Sequence, residues 1–173
     1  MRRVLAFAVA LFAALPASAA DAPDKAAHQA AMAKLSFLVG EWEGGGMMAM
    51  GPGPRLPFTQ TERIQFKHDG TLLLIEGQGK APQTGAVVHD ALAVMTFDTA
   101  SQKYRFRSFA AVGRFVDTEA AVEGNKMIWW MNAGPQKIRY TITVDNGVWR
   151  EIGERSADGT TWTAFFEMTV KRK

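Results

Sequence analysis

The sequence predicts an all-β protein: a single up-and-down antiparallel β-barrel of about ten strands with a short N-terminal helix. Three observations predict it. From Gly40 to the end of the 173-residue chain, short runs carry apolar residues at every second position. Turn signals separate those runs: Asp69-Gly70, Gly124-Asn125, Asp145-Asn146-Gly147 and Asp158-Gly159. The connections are too short for crossover helices, and so many strands lose their exposed edges only by closing on themselves.

The N-terminus reads as a targeting segment. Met1-Arg2-Arg3 is basic, Val4 to Leu15 is an unbroken apolar run, and Pro16 ends it before Ala17-Ser18-Ala19. That is the three-part layout of a secretory signal peptide with a small-x-small cleavage site. The apolar run has 12 residues, against the roughly 20 that span a bilayer as a helix. Residues 1–20 are therefore read as signal peptide and 21–173 as the barrel domain, with a periplasmic or secreted location. No later segment is apolar enough for a membrane-spanning helix, so no membrane span is expected after signal removal.

Charge and cysteine content exclude several functions. The chain has 20 basic and 17 acidic residues; without Arg2 and Arg3 the balance is 18 to 17. The only basic cluster is Lys171-Arg172-Lys173, and no basic stripe of the kind that binds nucleic acid is present. There is no cysteine, so no disulfide, no thiolate chemistry and no lipid anchor on a cysteine is available.

The elements follow in order. Residues 24–38 are alanine-rich, with Asp24 placed to cap a helix and Leu35 and Leu38 three residues apart. The helix is expected to act as a lid or plug at one barrel end. Strands are expected at Glu41–Met50, Phe58–Lys67, Thr71–Gly79, Ala86–Phe97 and Lys103–Val112. Five more are expected at Arg114–Val122, Lys126–Asn132, Lys137–Val144, Val148–Arg155 and Thr160–Lys171. Alternation is clearest in Ile138, Tyr140, Ile142 and Val144, and in Trp162, Ala164, Phe166, Met168 and Val170. Tyr104, Phe106, Ser108 and Ala110 alternate with Lys103, Arg105 and Arg107. Pro52, Pro54 and Pro57 stiffen a loop expected to rim the barrel mouth.

The sharpest local signal is Gly40-Glu41-Trp42-Glu43-Gly44-Gly45-Gly46. Gly40, Gly44 and Gly46 let the first strand coil and approach its neighbours closely, and Trp42 is expected to close the barrel floor. Leu35 to Gly44 resembles the opening of calycin-type barrels, the lipocalin and fatty-acid-binding-protein-like group. The longer Gly-x-Trp-x-Gly-x-Gly is similar to that of nitrobindin-like haem barrels. Phe165 to Lys173, and Ala91 to Asp98 followed by Lys103-Tyr104-Arg105, resemble a bacterial family of unknown function with the same barrel. The resemblance implies ten strands around an apolar interior, without naming a ligand. The nitrobindin-like barrels place their axial histidine near the C-terminal end, and this chain has no histidine after His89.

No protein-ligated metal site is expected. His68 and His89 stand on strands with another between them, and His28 lies on the helix, read as solvated. Met47, Met48 and Met50 read as adaptable apolar filler rather than a Cu(I) site. Nucleophile motifs are absent, so no catalytic residue is assigned. Glu151 and Glu167 are placed either to share a space or to pair with arginines on the outer wall.

What remains is aromatic. The expected function is an exported barrel that binds a small hydrophobic molecule among Phe66, Tyr104, Phe106, Trp130, Tyr140, Trp162 and Phe166, oriented by Tyr140 or Arg105. No cofactor is required by this reading. The alternatives are a haem barrel that uses His89 or His68, and a barrel enzyme that uses carboxylates.

Overall fold

A computed structural model describes residues 24–49, 51 and 53–173. The proposed signal peptide, residues 1–20, lies outside the described residues, as do Met50 and Pro52.

The chain opens with helix α1, Lys25–Ala33, followed by a 3-10 turn at Ser36–Leu38. Asp24 caps α1 by accepting a hydrogen bond from Ala27 N at 3.0 Å. The helix is shorter than the expected 24–38 because the chain must tighten and turn into the first strand. That turn drives Leu35 and Leu38 into the core with Met32.

Ten strands follow: β1 (Gly40–Met48), β2 (Leu56–Lys67), β3 (Leu72–Lys80), β4 (Val87–Asp98) and β5 (Lys103–Ala110), then β6 (Phe115–Glu123), β7 (Lys126–Ala133), β8 (Gln136–Asp145), β9 (Val148–Ser156) and β10 (Thr163–Arg172). Each pairs antiparallel with the next, and β10 pairs with β1, so the sheet closes. At the seam Gly46 stands opposite Met168 and Gly44 opposite Val170. A Cβ on Gly44 or Gly46 would strike the backbone of β10, which is why the first strand needs glycine there. Among the described residues no helix is long and apolar enough to cross a membrane.

Helix α1 sits across one end of the barrel. Tyr104 on β5 donates its hydroxyl to Ala31 O at 2.8 Å. His28 Nε2 lies 3.0 Å from Thr71 O and 3.1 Å from Thr96 Oγ1. The expectation of a solvated His28 is thus corrected: the ring tethers the helix to the strand ends. Beneath the helix Trp42 is fully buried, with Nε1 donating to Leu38 O at 2.8 Å. Its ring meets Trp149 edge to face at 5.6 Å, and the Arg172 guanidinium covers it at 4.2 Å. Arg172 also donates to the carbonyls of Phe37 and Val39, tying the last strand to the chain that enters the first.

Candidate functional site

The inward positions of the strands leave an interior cavity of about 430 Å³. Its floor, on the α1 side, is apolar: Leu38, Met127, Ile142, Trp149 and Met168. Its waist is aromatic, with Phe106, Trp129, Tyr140 and Phe166. Trp129 stacks on Tyr140 at 4.3 Å and 11°, and Phe106 leans on Trp129 at 4.8 Å. Tyr140 meets Phe166 edge to face at 5.7 Å. The rim, at the strand ends away from α1, carries Met48, His89, Arg114, Gln136 and Arg155.

Three of the seven predicted binding residues meet on this wall: Phe106, Tyr140 and Phe166. Tyr104 and Phe66 are inside the barrel but belong to the closed end, where Tyr104 is spent on Ala31 and Phe66 packs against the core. Trp130 and Trp162 lie off the cavity wall. Trp130 is 38% exposed, and its neighbour Trp129 takes the inward position. The consecutive tryptophans of β7 must point apart, and the pairing of Trp129 with Tyr140 puts Trp129 on the inner face. Trp162 drops out of phase because β10 is bulged against β9 between Ala164 and Phe166. It lies under the Arg139 guanidinium at 4.3 Å, on the outer wall. Arg105 is also outside, 2.7 Å from Asp117 and 3.7 Å from Glu119.

The two carboxyls divide between the alternatives the sequence left open. Glu167 pairs with Arg55 on the outer wall at 2.6 Å, whereas Glu151 lines the cavity and is 9% exposed. The second interior carboxyl is Glu62 on β2, on the same strand face as Phe58, Gln60 and Ile64. Gln60 Nε2 donates to Glu62 Oε1 at 2.7 Å. Gly77, opposite Glu62 across β2 and β3, leaves the carboxylate its space: a Cβ there would lie 2.7 Å from Oε2. Gly153 does the same for the aromatic waist, since a Cβ there would lie 2.7 Å from Tyr140 Cε1.

Burial dominates the electrostatics. It raises Glu62 to about 7, against the opposing hydrogen bond from Gln60. It raises Glu151 to about 8, helped by repulsion from Glu62 and opposed by the nearby Trp149 indole N–H. Trp149 Nε1 itself is buried without a hydrogen bond of good geometry. Burial also lowers His89, with Asp90 opposing and Arg114 assisting, and raises the Tyr140 hydroxyl above the usual phenol range. At the rim, neither Arg114 nor Arg155 forms an ion pair among the described residues. His89 is on the cavity wall, whereas His68 sits in the β2–β3 turn at the closed end. Among the described residues no three His, Asp or Glu side chains cluster as metal ligands.

No protein-family model matches the chain, and no curated protein matches it by sequence. Among solved structures it is similar to the crystal structure of Rv2717c from M. tuberculosis, with a TM-score of 0.62, 12% identity, and coverage of 83% of this chain and 97% of that one. At that identity the likeness is one of fold.

Proposed function

We propose that this protein binds a small hydrophobic molecule inside the barrel. The observation that carries the reading is the cavity: about 430 Å³, with an apolar floor and an aromatic waist. Ligand sites fall in the range of about 300–1,000 Å³ and are mainly apolar with a few polar groups. A guest that exchanges water for this wall gains about 25 cal/mol per Å² of apolar surface, enough for micromolar binding by an eight- to twelve-carbon hydrophobe. Titration of such compounds against tryptophan fluorescence tests it, because Trp129 and Trp149 both line the cavity. Saturable quenching supports the reading; no response to any hydrophobe overturns it.

The protein is proposed to do this after export, on the strength of residues 1–20. Sequencing the N-terminus of the exported protein should give Ala20 or Asp21, and a retained Met1 would remove the argument.

Haem is the second reading, favoured by one observation: His89 lies on the cavity wall, where burial lowers its pKa and so favours the neutral imidazole. The fit is incomplete, because among the described residues no side chain is hydrogen-bonded to His89 to fix its ring, as axial and metal-bound histidines usually require. A Soret band that appears on haem addition and vanishes in His89→Ala would favour this reading over the first.

A further inference from the structure

We propose that Glu62 and Glu151 recognise a protonated amine on the hydrophobic guest, which makes the ligand a small alkyl or aryl amine. This rests on the cavity reading above and deepens it.

Both carboxyls line the cavity, Glu151 at the level of Ile142 and Met168 just below the aromatic waist, and among the described residues no cationic side chain is ion-paired with either. Arg155 shares β9 with Glu151 but stands four residues nearer the rim, about 13 Å along an extended strand. The pair is also built for. Gly77 clears the volume that the Glu62 carboxylate occupies, and Gln60 holds one of its oxygens while leaving the other free. The Trp149 indole N–H, on the same wall in a side chain only 2% exposed, lies near enough to Glu151 to favour its charged form but makes no hydrogen bond of good geometry. Buried polar groups are nearly always satisfied, so this set is incomplete as it stands.

An ammonium group supplies what is missing. It brings positive charge and several N–H donors, so both carboxyls can accept from it. Ionised Glu151 is also the stronger acceptor for the neighbouring Trp149 indole N–H. A carboxylate guest would meet repulsion from the two carboxyls and could be held only at the rim, by Arg114 and Arg155.

The charge state adds a signature. Burial raises Glu62 to about 7 and Glu151 to about 8, whereas an alkyl ammonium resembles the lysine side chain and stays protonated to about pH 10. Amine affinity should therefore rise between about pH 6 and 9 as the carboxyls ionise. The other titratable or charged groups that face the pair are His89, whose pKa burial lowers, the Tyr140 hydroxyl, whose pKa burial raises, and the rim guanidiniums.

The experiment titrates octylamine, octanol and octanoate into the wild-type protein, Glu62→Gln and Glu151→Gln, at several pH values. Octylamine should bind about tenfold tighter than octanol at high pH, the scale of one hydrogen bond to a charged group. The advantage should shrink toward low pH and disappear in both variants. The wild-type pH dependence reads the proposal even if a variant fails to fold. Equal binding of all three compounds, tighter binding of octanoate, or an amine preference that survives both substitutions overturns the amine and leaves the cavity standing. Binding by none of the three overturns both.

Discussion

Gly77 and Glu62 face one another across β2 and β3, and the space a Cβ would fill at Gly77 is held by both oxygens of the Glu62 carboxylate, at 2.7 and 2.8 Å. Gly77→Ala should therefore push the carboxylate off Gln60 and strain the waist. Overpacking of this kind costs about 1–3 kcal/mol. Chemical denaturation would measure it, and a loss under about 0.5 kcal/mol, the range of surface substitutions, would show that the carboxylate is free to move aside.

Trp42 should be the costliest single aromatic to remove. It is fully buried, hydrogen-bonded to Leu38 O and locked against Trp149 and Arg172. Trp42→Ala is expected to lose about 3–5 kcal/mol. Trp42→Phe keeps most of the packing and should lose less, with about 1 kcal/mol of the loss from the missing hydrogen bond.

The interior carboxyls should set the pH dependence of stability. Their folded values of about 7 and about 8 lie above the unfolded carboxylate value. In the unfolded chain they ionise from about pH 4.3 upward, while the folded protein still holds the protons. Stability should therefore fall as pH rises from about 5 to 8 and level off beyond. Asp158, whose pKa is lowered by hydrogen bonds from Ser156, Thr160 and Thr161, acts the opposite way but only in strong acid. Glu151→Gln should flatten the slope and be more stable than wild type at pH 9, by on the order of 2–3 kcal/mol. Melts across that window that show a rise instead would contradict burial as the dominant cause.

Substitutions on the two tryptophans of β7 should part company. Trp129→Ala removes a cavity wall and should weaken guest binding about tenfold or more, the scale of one buried aromatic contact. Trp130→Ala, on the outer face, should leave affinity unchanged. Phe106→Ala and Tyr140→Ala should behave like Trp129→Ala, with stability losses below the roughly 3–5 kcal/mol of a fully packed aromatic. Large stability losses without any loss of affinity would mean these rings fill the barrel themselves.

Much of the barrel was legible because hairpin barrels announce themselves locally. Asp69-Gly70, Gly124-Asn125 and Asn146-Gly147 each supply residues of positive φ at a strand end, and alternation between them gives a strand with one wet face. The site was less legible. In β7 two tryptophans in succession leave the face undecided until β8 fixes the register. In β10 a bulge no pattern signals puts Trp162 outside. Glu62 escaped notice because β2 reads Thr-Gln-Thr-Glu-Arg, polar on both faces. The parity was there to be used: Gln60 and Glu62 keep step with Phe58, Ile64 and Phe66. Gly77 and Gly79 on the next strand mark where side chains from β2 need room.

The β1–β10 seam has a consequence for how the chain reaches this shape. Gly46 cannot meet Met168 until more than a hundred residues between them have been made and folded into hairpins. Every other strand pair is local and can form as a short hairpin zips. The last pairing closes the longest loop in the molecule, and such distant contacts slow folding. Until then β1 and β10 offer bare hydrogen-bonding edges, the form most open to misassociation. Refolding should accordingly show an early rise in β-structure and a slow final phase in which Trp42 fluorescence changes. The concentration of protein during that phase should decide between closed barrels and aggregates.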